Sequence, residues 1–233
     1  MFPVKDNIPL ARFPIVTVVL VAVSVIAYVL ETHSGHGGSF LGGPTDAVEL
    51  RYGVVPQQLT HPDSHTRWGA VLTSMFLYTS FLSILTNMLA LAIFGPAVED
   101  ALGRVRFPVL YLLGGLVGLG LQVAAAPSST ASALGSTGAV AAVLGGYIVL
   151  YPRARILSLV FIVFFVTIIE VPAVLLLGVW LAARALLGLE GLGSSVAGEG
   201  TAYLALIGGF AFGLLSIRPL VKHHAPGLPR AAA

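Results

Sequence analysis

The chain contains no cysteine, so disulfides, thiolate nucleophiles and cysteine-held metals are excluded. Charge is nearly as scarce: Asp, Glu, Lys and Arg make up 9% of the 233 residues, against roughly 25% in soluble domains. A soluble chain of this length would need more polar surface than this one owns. Histidine, the side chain best suited to proton transfer near neutral pH, occurs at His33, His36, His61, His65, His223 and His224, all in hydrophilic loops or the tail. The calculated pI of 9.1 largely restates the charge of a few loops and gives no reason to expect nucleic acid as a partner.

Long apolar runs are what the sequence has instead. Hydrophobic residues make up 57% of the chain, and the mean hydropathy is +0.95. The runs are Phe13 to Leu30, Ala70 to Phe94, Phe107 to Ala126, Leu134 to Tyr151, Ile156 to Ala183 (broken only by Glu170) and Tyr203 to Ile217. About 20 apolar residues span a hydrocarbon core of roughly 30 Å, so an all-α membrane protein with six transmembrane helices is expected. The first run exceeds a signal-peptide core and no clear cleavage site follows it, so it reads as a retained helix. Ile156 to Ala183 is too long for one span and too short for two. Pro172 disfavours helix in the residue before it, which places the fifth span at Val171 to Leu187. Ile156 to Ile169 is then left as a hydrophobic connecting segment at the interface.

Loop charges orient the bundle. Lys5, Arg12, Arg104, Arg106, Arg153, Arg155, Arg218, Lys222 and Arg230 fall on one side of six alternating spans, and only Arg51, Arg67 and Arg184 on the other. The positive-inside rule then makes both termini cytoplasmic. The expected organisation is a cytoplasmic N-terminus over 1–12, a six-helix membrane domain over 13–218 with an external loop at 31–69, and a cytoplasmic tail over 219–233. The expected location is a bacterial plasma membrane.

Small residues mark close helix contacts. Gly138, Ala141, Ala142 and Gly145 share one face of the fourth span, and Gly209 and Gly213 form a G-x-x-x-G pair on the sixth. Inside lipid such faces let backbones approach closely, which replaces the missing hydrophobic drive, so packing is the favoured role for them. Two other clusters carry weaker signals. His33 and His36, or His61 with Asp63 and His65, could gather a metal in principle, but a solvated Gly-rich loop is the favoured reading, and neither a metal nor a cofactor is expected. Glu99 and Asp100 beside Arg104 and Arg106 read as surface pairs on a turn.

Read in order, a longer series of motifs becomes specific. It comprises Leu72-Thr-Ser-Met-Phe76, Asn87-Met-Leu89, Phe94-Gly95 with Val98-Glu-Asp100 and Leu102-Gly103, and Tyr111-Leu-Leu-Gly114. Gly135-Ser-Thr-Gly138, Tyr151-Pro-Arg-Ala-Arg155, Glu170 with Pro172-Ala173, and Gly208-Gly-Phe210 with Gly213 follow. In this order the chain resembles the rhomboid family of intramembrane serine proteases along nearly its whole length. The resemblance implies a six-helix bundle with a water-filled cavity. It also implies a serine nucleophile in a G-x-S-G motif at the start of the fourth span and a histidine base just before the Gly-Gly pair on the sixth. A histidine and an asparagine on the second span would bind the oxyanion.

At these positions the sequence departs from the resemblance. Thr137 stands at the nucleophile position, Leu206 at the base position, and Ser83 where the oxyanion histidine would be, while Asn87 is kept. Tyr78-Thr79-Ser80 replaces a His-Gly-Gly. Gly135, Gly138, Gly145, Gly208, Gly209 and Gly213 keep the packing pattern. Ser136 is turned about 100° from Thr137 on a helix of 3.6 residues per turn, so it should not point where the nucleophile points. A hydroxyl needs a base to take its proton. Lys5 and Lys222 lie on the wrong side, and Glu170 reads as a structural carboxylate rather than a base. Three functions stay open: a pseudoprotease that binds transmembrane segments of client proteins, a Thr137-dependent intramembrane protease, and an unrelated channel or carrier. The first is favoured, with the lipid bilayer and client segments as partners.

Overall fold

The computed structural model describes residues 2–6, 8–33, 52–60, 68–162, 165–190 and 202–221. The helices among them are α1 (Ile15–His33), α2 (Pro56–Thr60), α3 (Trp68–Thr73), α4 (Phe81–Leu102), α5 (Arg106–Ala125), α6 (Ser136–Leu150), α7 (Ala173–Glu190) and α8 (Ala202–Leu220). A short 3-10 turn, Ser74–Phe76, follows α3. Four helical segments are long and apolar enough to cross a bilayer: Ile15–His33, Phe81–Leu102, Arg106–Ala125 and Tyr203–Leu220. Ser136–Leu150 and Ala173–Ala182 are shorter apolar helices. Helices apolar on all sides have no soluble face and belong in a core or in lipid.

Helix α6 lies at the centre of the bundle, packed by α4, α5 and α8. From Gly138 to Tyr147 every residue is buried. Its contacts with α5 and α8 run through glycine. A Cβ at Gly209 would fall on the backbone of Gly138, one at Gly213 on Ala142, one at Gly145 on Phe210, and one at Gly114 on the Ala142 side chain. The packing reading of the small-residue faces thus has a direct steric basis.

The run Ala70 to Phe94 is not one helix. It breaks after Phe76: Leu77 is extended, and Ser80 is extended and caps α4 by accepting the Ser83 N–H at 3.2 Å. The freed carbonyls have side-chain donors. The Tyr111 hydroxyl on α5 donates to the Met75 carbonyl at 3.1 Å, and the Ser136 hydroxyl donates to the Leu77 carbonyl at 2.7 Å. A buried carbonyl without a partner costs about 1–3 kcal/mol, so these two side chains make the break tolerable inside the protein. Helix α4 ends at Gly103, whose φ of 81° favours glycine and whose N–H closes on the Glu99 carbonyl at 2.7 Å.

The connecting segment expected at Ile156 to Ile169 holds two strands, over 156–162 and 165–169. Strands β1 (Phe2–Asp6), β2 (Arg155–Ile162) and β3 (Phe165–Pro172) form an antiparallel sheet in the order β1-β2-β3, with Phe2 opposite Leu159, and Arg155 opposite Pro172. Its residues are largely β-branched or aromatic, the types that favour a pleated surface. The fifth helix accordingly begins at Ala173 rather than Val171 and reaches Glu190. Glu170 lies in β3 and pairs with Arg155 across the hairpin at 3.0 Å, both half or more exposed. Such a pair contributes about 0–1 kcal/mol.

The cluster at the end of α4 differs from the surface pairing expected of it. Glu99 is buried and caps α1: its carboxylate accepts the N–H of Val16 at 2.9 Å, the N–H of Thr17 at 2.7 Å and the Thr17 hydroxyl at 2.7 Å. Asp100 accepts the Ala11 N–H at 3.0 Å. A helix start leaves backbone donors unpaired and carries partial positive charge, so an acid brought from another helix satisfies both.

Candidate functional site

The residues that the resemblance singles out lie on three helices, and the structure joins two of them. Thr137 stands in the first turn of α6 and is half-buried, with no hydrogen-bond partner among the described residues. Gly138, next to it, faces the Ala205 carbonyl of α8, and a Cβ there would lie 3.0 Å from that oxygen. Leu206 follows Ala205 and is only 1% exposed. The turn bearing the nucleophile position and the turn bearing the base position are therefore in backbone contact. The side chain at the base position is a hydrocarbon, which can neither accept nor donate a proton.

Ser136 is 1% exposed and spends its proton on the Leu77 carbonyl. It ties α6 to the α3–α4 break. Ser136→Ala should lower stability by about 1–2 kcal/mol through the orphaned Leu77 carbonyl, read as an earlier midpoint in detergent unfolding.

Asn87 lies on α4, one turn beyond Ser83. It is fully buried, and its amide nitrogen donates to the Ser83 carbonyl at 2.9 Å while its amide oxygen has no partner. One of the two N–H donors of the Asn87 amide is thus turned back onto its own helix. Near the α3–α4 break the Tyr111 hydroxyl is fully buried, and Tyr78 is buried beside it.

The segment entering α6 is fixed from outside the bundle. Val54 and Ala133 exchange backbone hydrogen bonds at 3.2 and 2.7 Å, and the Gln57 N–H donates to the Ser129 carbonyl at 3.1 Å. These contacts position Gly135, at the start of α6. Its missing Cβ would lie 3.1 Å from the Met75 side chain.

Other candidates do not join the site. Glu170 is in the sheet, and Glu99 is twelve residues from Asn87 on α4, about 18 Å along the axis. No group of three or more His, Cys, Asp or Glu side chains converges among the described residues. His36, His61, Asp63, His65, Lys222, His223 and His224 lie outside the described residues. His33 ends α1 and lies 2.9 Å from the Val29 carbonyl. Sequence reasoning missed the roles of Glu99, Ser136 and Tyr111. The first had a signal in an acid whose place in the bundle is the end of a span, but its partners are 82 and 83 residues away.

This arrangement of apolar helices with a glycine-packed centre defines a polytopic helical integral membrane protein. The sequence profile of the Rhomboid domain matches residues 65–223, and the chain belongs to the rhomboid family. It is similar to the mitochondrial Rhomboid protein 1 of Saccharomyces cerevisiae, 31% identical over 161 residues, which cover 67% of this chain and 43% of that protein. It also resembles YdcA of Bacillus subtilis (strain 168), named as a candidate rhomboid protease, at 33% identity over 51 residues, 22% of this chain and 26% of the relative. The chain thus spans less than half the length of either relative.

Proposed function

We propose that this rhomboid-family protein is a pseudoprotease that binds transmembrane segments of client proteins without cleaving them. One observation carries the reading: the base position is filled by Leu206, 1% exposed, against the turn that holds Thr137. General-base assistance is typically worth about 10²–10⁴-fold, and neither α6 nor α8 holds a histidine, a lysine or a carboxylate to supply it. One of the two Asn87 amide N–H donors is engaged with the Ser83 carbonyl as well. A scaffold that keeps its glycine packing while lacking these groups supports binding as the retained activity. Helix α7 supplies the surface for it: of its side chains through Ala182 only Ala173 and Leu177 are buried, and Val174, Leu175 and Val179 are open to lipid. The reading includes six spans, with both termini in the cytoplasm of a bacterial cell, 13–218 as the membrane domain and 31–69 outside.

The test is cleavage of a fluorescent transmembrane peptide in liposomes, comparing wild type, Thr137→Ala and Thr137→Ser with Leu206→His. Equal silence of wild type and Thr137→Ala is expected, while peptide binding persists in both. Turnover in the doubly substituted protein would show that the surrounding scaffold remains competent. Cleavage by wild type that disappears in Thr137→Ala would overturn the pseudoprotease and establish a threonine-dependent protease.

A further inference from the structure

We propose that the protein holds an anionic phospholipid headgroup in a pocket at the N-terminal ends of α1 and α5, in the leaflet on the side of the N-terminal strand. The pocket has a volume of about 560 Å³ and is lined by Arg12, Leu102, Gly103, Arg104, Val105 and Arg106. That size falls within the roughly 300–1,000 Å³ of small-ligand sites. Three arginines line one opening, and their like charges repel each other unless an anion joins them. The carboxylates of the adjoining turn are committed elsewhere, Glu99 to Val16 and Thr17, and Asp100 to Ala11. Among the described residues none lies within ion-pair distance of Arg12, Arg104 or Arg106.

The site is partly preformed. Arg106 is anchored by donation to the Leu220 carbonyl at 2.8 Å, which joins α5 to the end of α8, and its remaining donors are available to a phosphate oxygen. Helix α5 starts at the pocket wall without a side-chain cap, so its positive end favours an anion there. Arg12 and Arg104 are exposed.

The surroundings select a lipid over a free phosphate. Leu10, Phe13, Val105 and Val109 flank the arginines and are 45%, 70%, 77% and 41% exposed. The pocket sits where three apolar helices, α1, α4 and α5, begin or end, which is the level of the headgroups. An anion held by the arginines would therefore place acyl chains along these apolar residues. The inference needs only that the protein is embedded in a membrane, and it stands or falls independently of proteolysis.

The experiment is native mass spectrometry of the purified full chain offered phosphatidylglycerol, phosphatidylcholine or inorganic phosphate. Wild type should retain phosphatidylglycerol in preference to phosphatidylcholine. At roughly fivefold per basic residue at a lipid surface, Arg104→Gln should weaken that retention about fivefold and Arg12→Gln with Arg104→Gln about 25-fold. Arg218→Gln, an exposed arginine outside the pocket, should leave it unchanged. Retention in the double variant equal to wild type, or an equal loss in Arg218→Gln, would overturn the pocket. Displacement of bound lipid by millimolar inorganic phosphate, with no preference between the two lipids, would assign the site to the free ion and overturn the lipid reading. Should the double variant fail to fold, Arg104→Gln alone decides, because its side chain is exposed and bonds to no described residue.

Discussion

Gly209→Ala should unfold the centre of the bundle, costing about 3 kcal/mol or more. A Cβ at this position would fall on the Gly138 carbonyl group, and backbone atoms cannot swing aside as a side-chain end can. Overpacked cores typically lose about 1–3 kcal/mol and occasionally more. This contact is of backbone with backbone on a helix enclosed by three others, so the upper end is expected. Relief would require α8 to move away from α6, breaking the matching contacts of Gly213 with Ala142 and of Gly145 with Phe210. Gly120→Ala is the internal comparison. Nothing lies within 4 Å of a Cβ there, and alanine is the better helix former by about 1 kcal/mol, so this variant should be neutral or slightly stabilised. Equilibrium unfolding of both in detergent reads the contrast directly. Equal effects at the two sites would mean that α6 and α8 do not approach as described.

Glu99→Ala should be nearly as damaging, by about 3–5 kcal/mol. It strands three donors at once, the N–H groups of Val16 and Thr17 and the Thr17 hydroxyl, and each buried orphan costs about 1–3 kcal/mol. Glu99→Gln keeps one acceptor oxygen and should lose roughly half as much. Thr17→Val, which removes only the hydroxyl, should cost about 1 kcal/mol and should add little once Glu99 is gone. That non-additivity is the signature of a shared contact. Hydrogen exchange at the first turn of α1 locates the loss: those amides should exchange early in Glu99→Ala and remain protected in Gly120→Ala. If the two losses were simply additive, Glu99 would be acting away from α1.

Residue chemistry reached the membrane class and the close-packing role of Gly138, Gly209 and Gly213, because glycine spacing on a helix is a local pattern, while the family came from the resemblance of an ordered series of motifs. What it could not reach depends on distant partners. The stretch from Ile156 to Ile169 has the hydropathy of a membrane segment, and its strands show only in their pairing with each other and with Phe2–Asp6. The run Ala70 to Phe94 gives no apolar signal of a break, because the donors that permit one, Tyr111 and Ser136, arrive from two later helices. Glu99 reads as a surface acid beside two arginines until α1 is laid against it. The residues that the resemblance assigns to the candidate site, Thr137, Leu206, Ser83 and Asn87, are read directly from the sequence. The inward turn of the Asn87 amide and the use of the Ser136 proton were not, because side-chain direction follows from tertiary contact.

The sheet also imposes a timetable on biogenesis. Residues 2–6 are synthesised well before β2, the strand they pair with, which begins at Arg155. At about 5–20 residues per second the first strand waits roughly 10–30 s for its partner. Through that interval an unpaired edge stands at the membrane surface, where another nascent chain could occupy it. Short length, one proline and the charges of Lys5 and Asp6 are features that discourage such mispairing. The sheet can close only after four of the apolar helices have been made, so its closure would report from a single end of the molecule that most of the bundle has been synthesised.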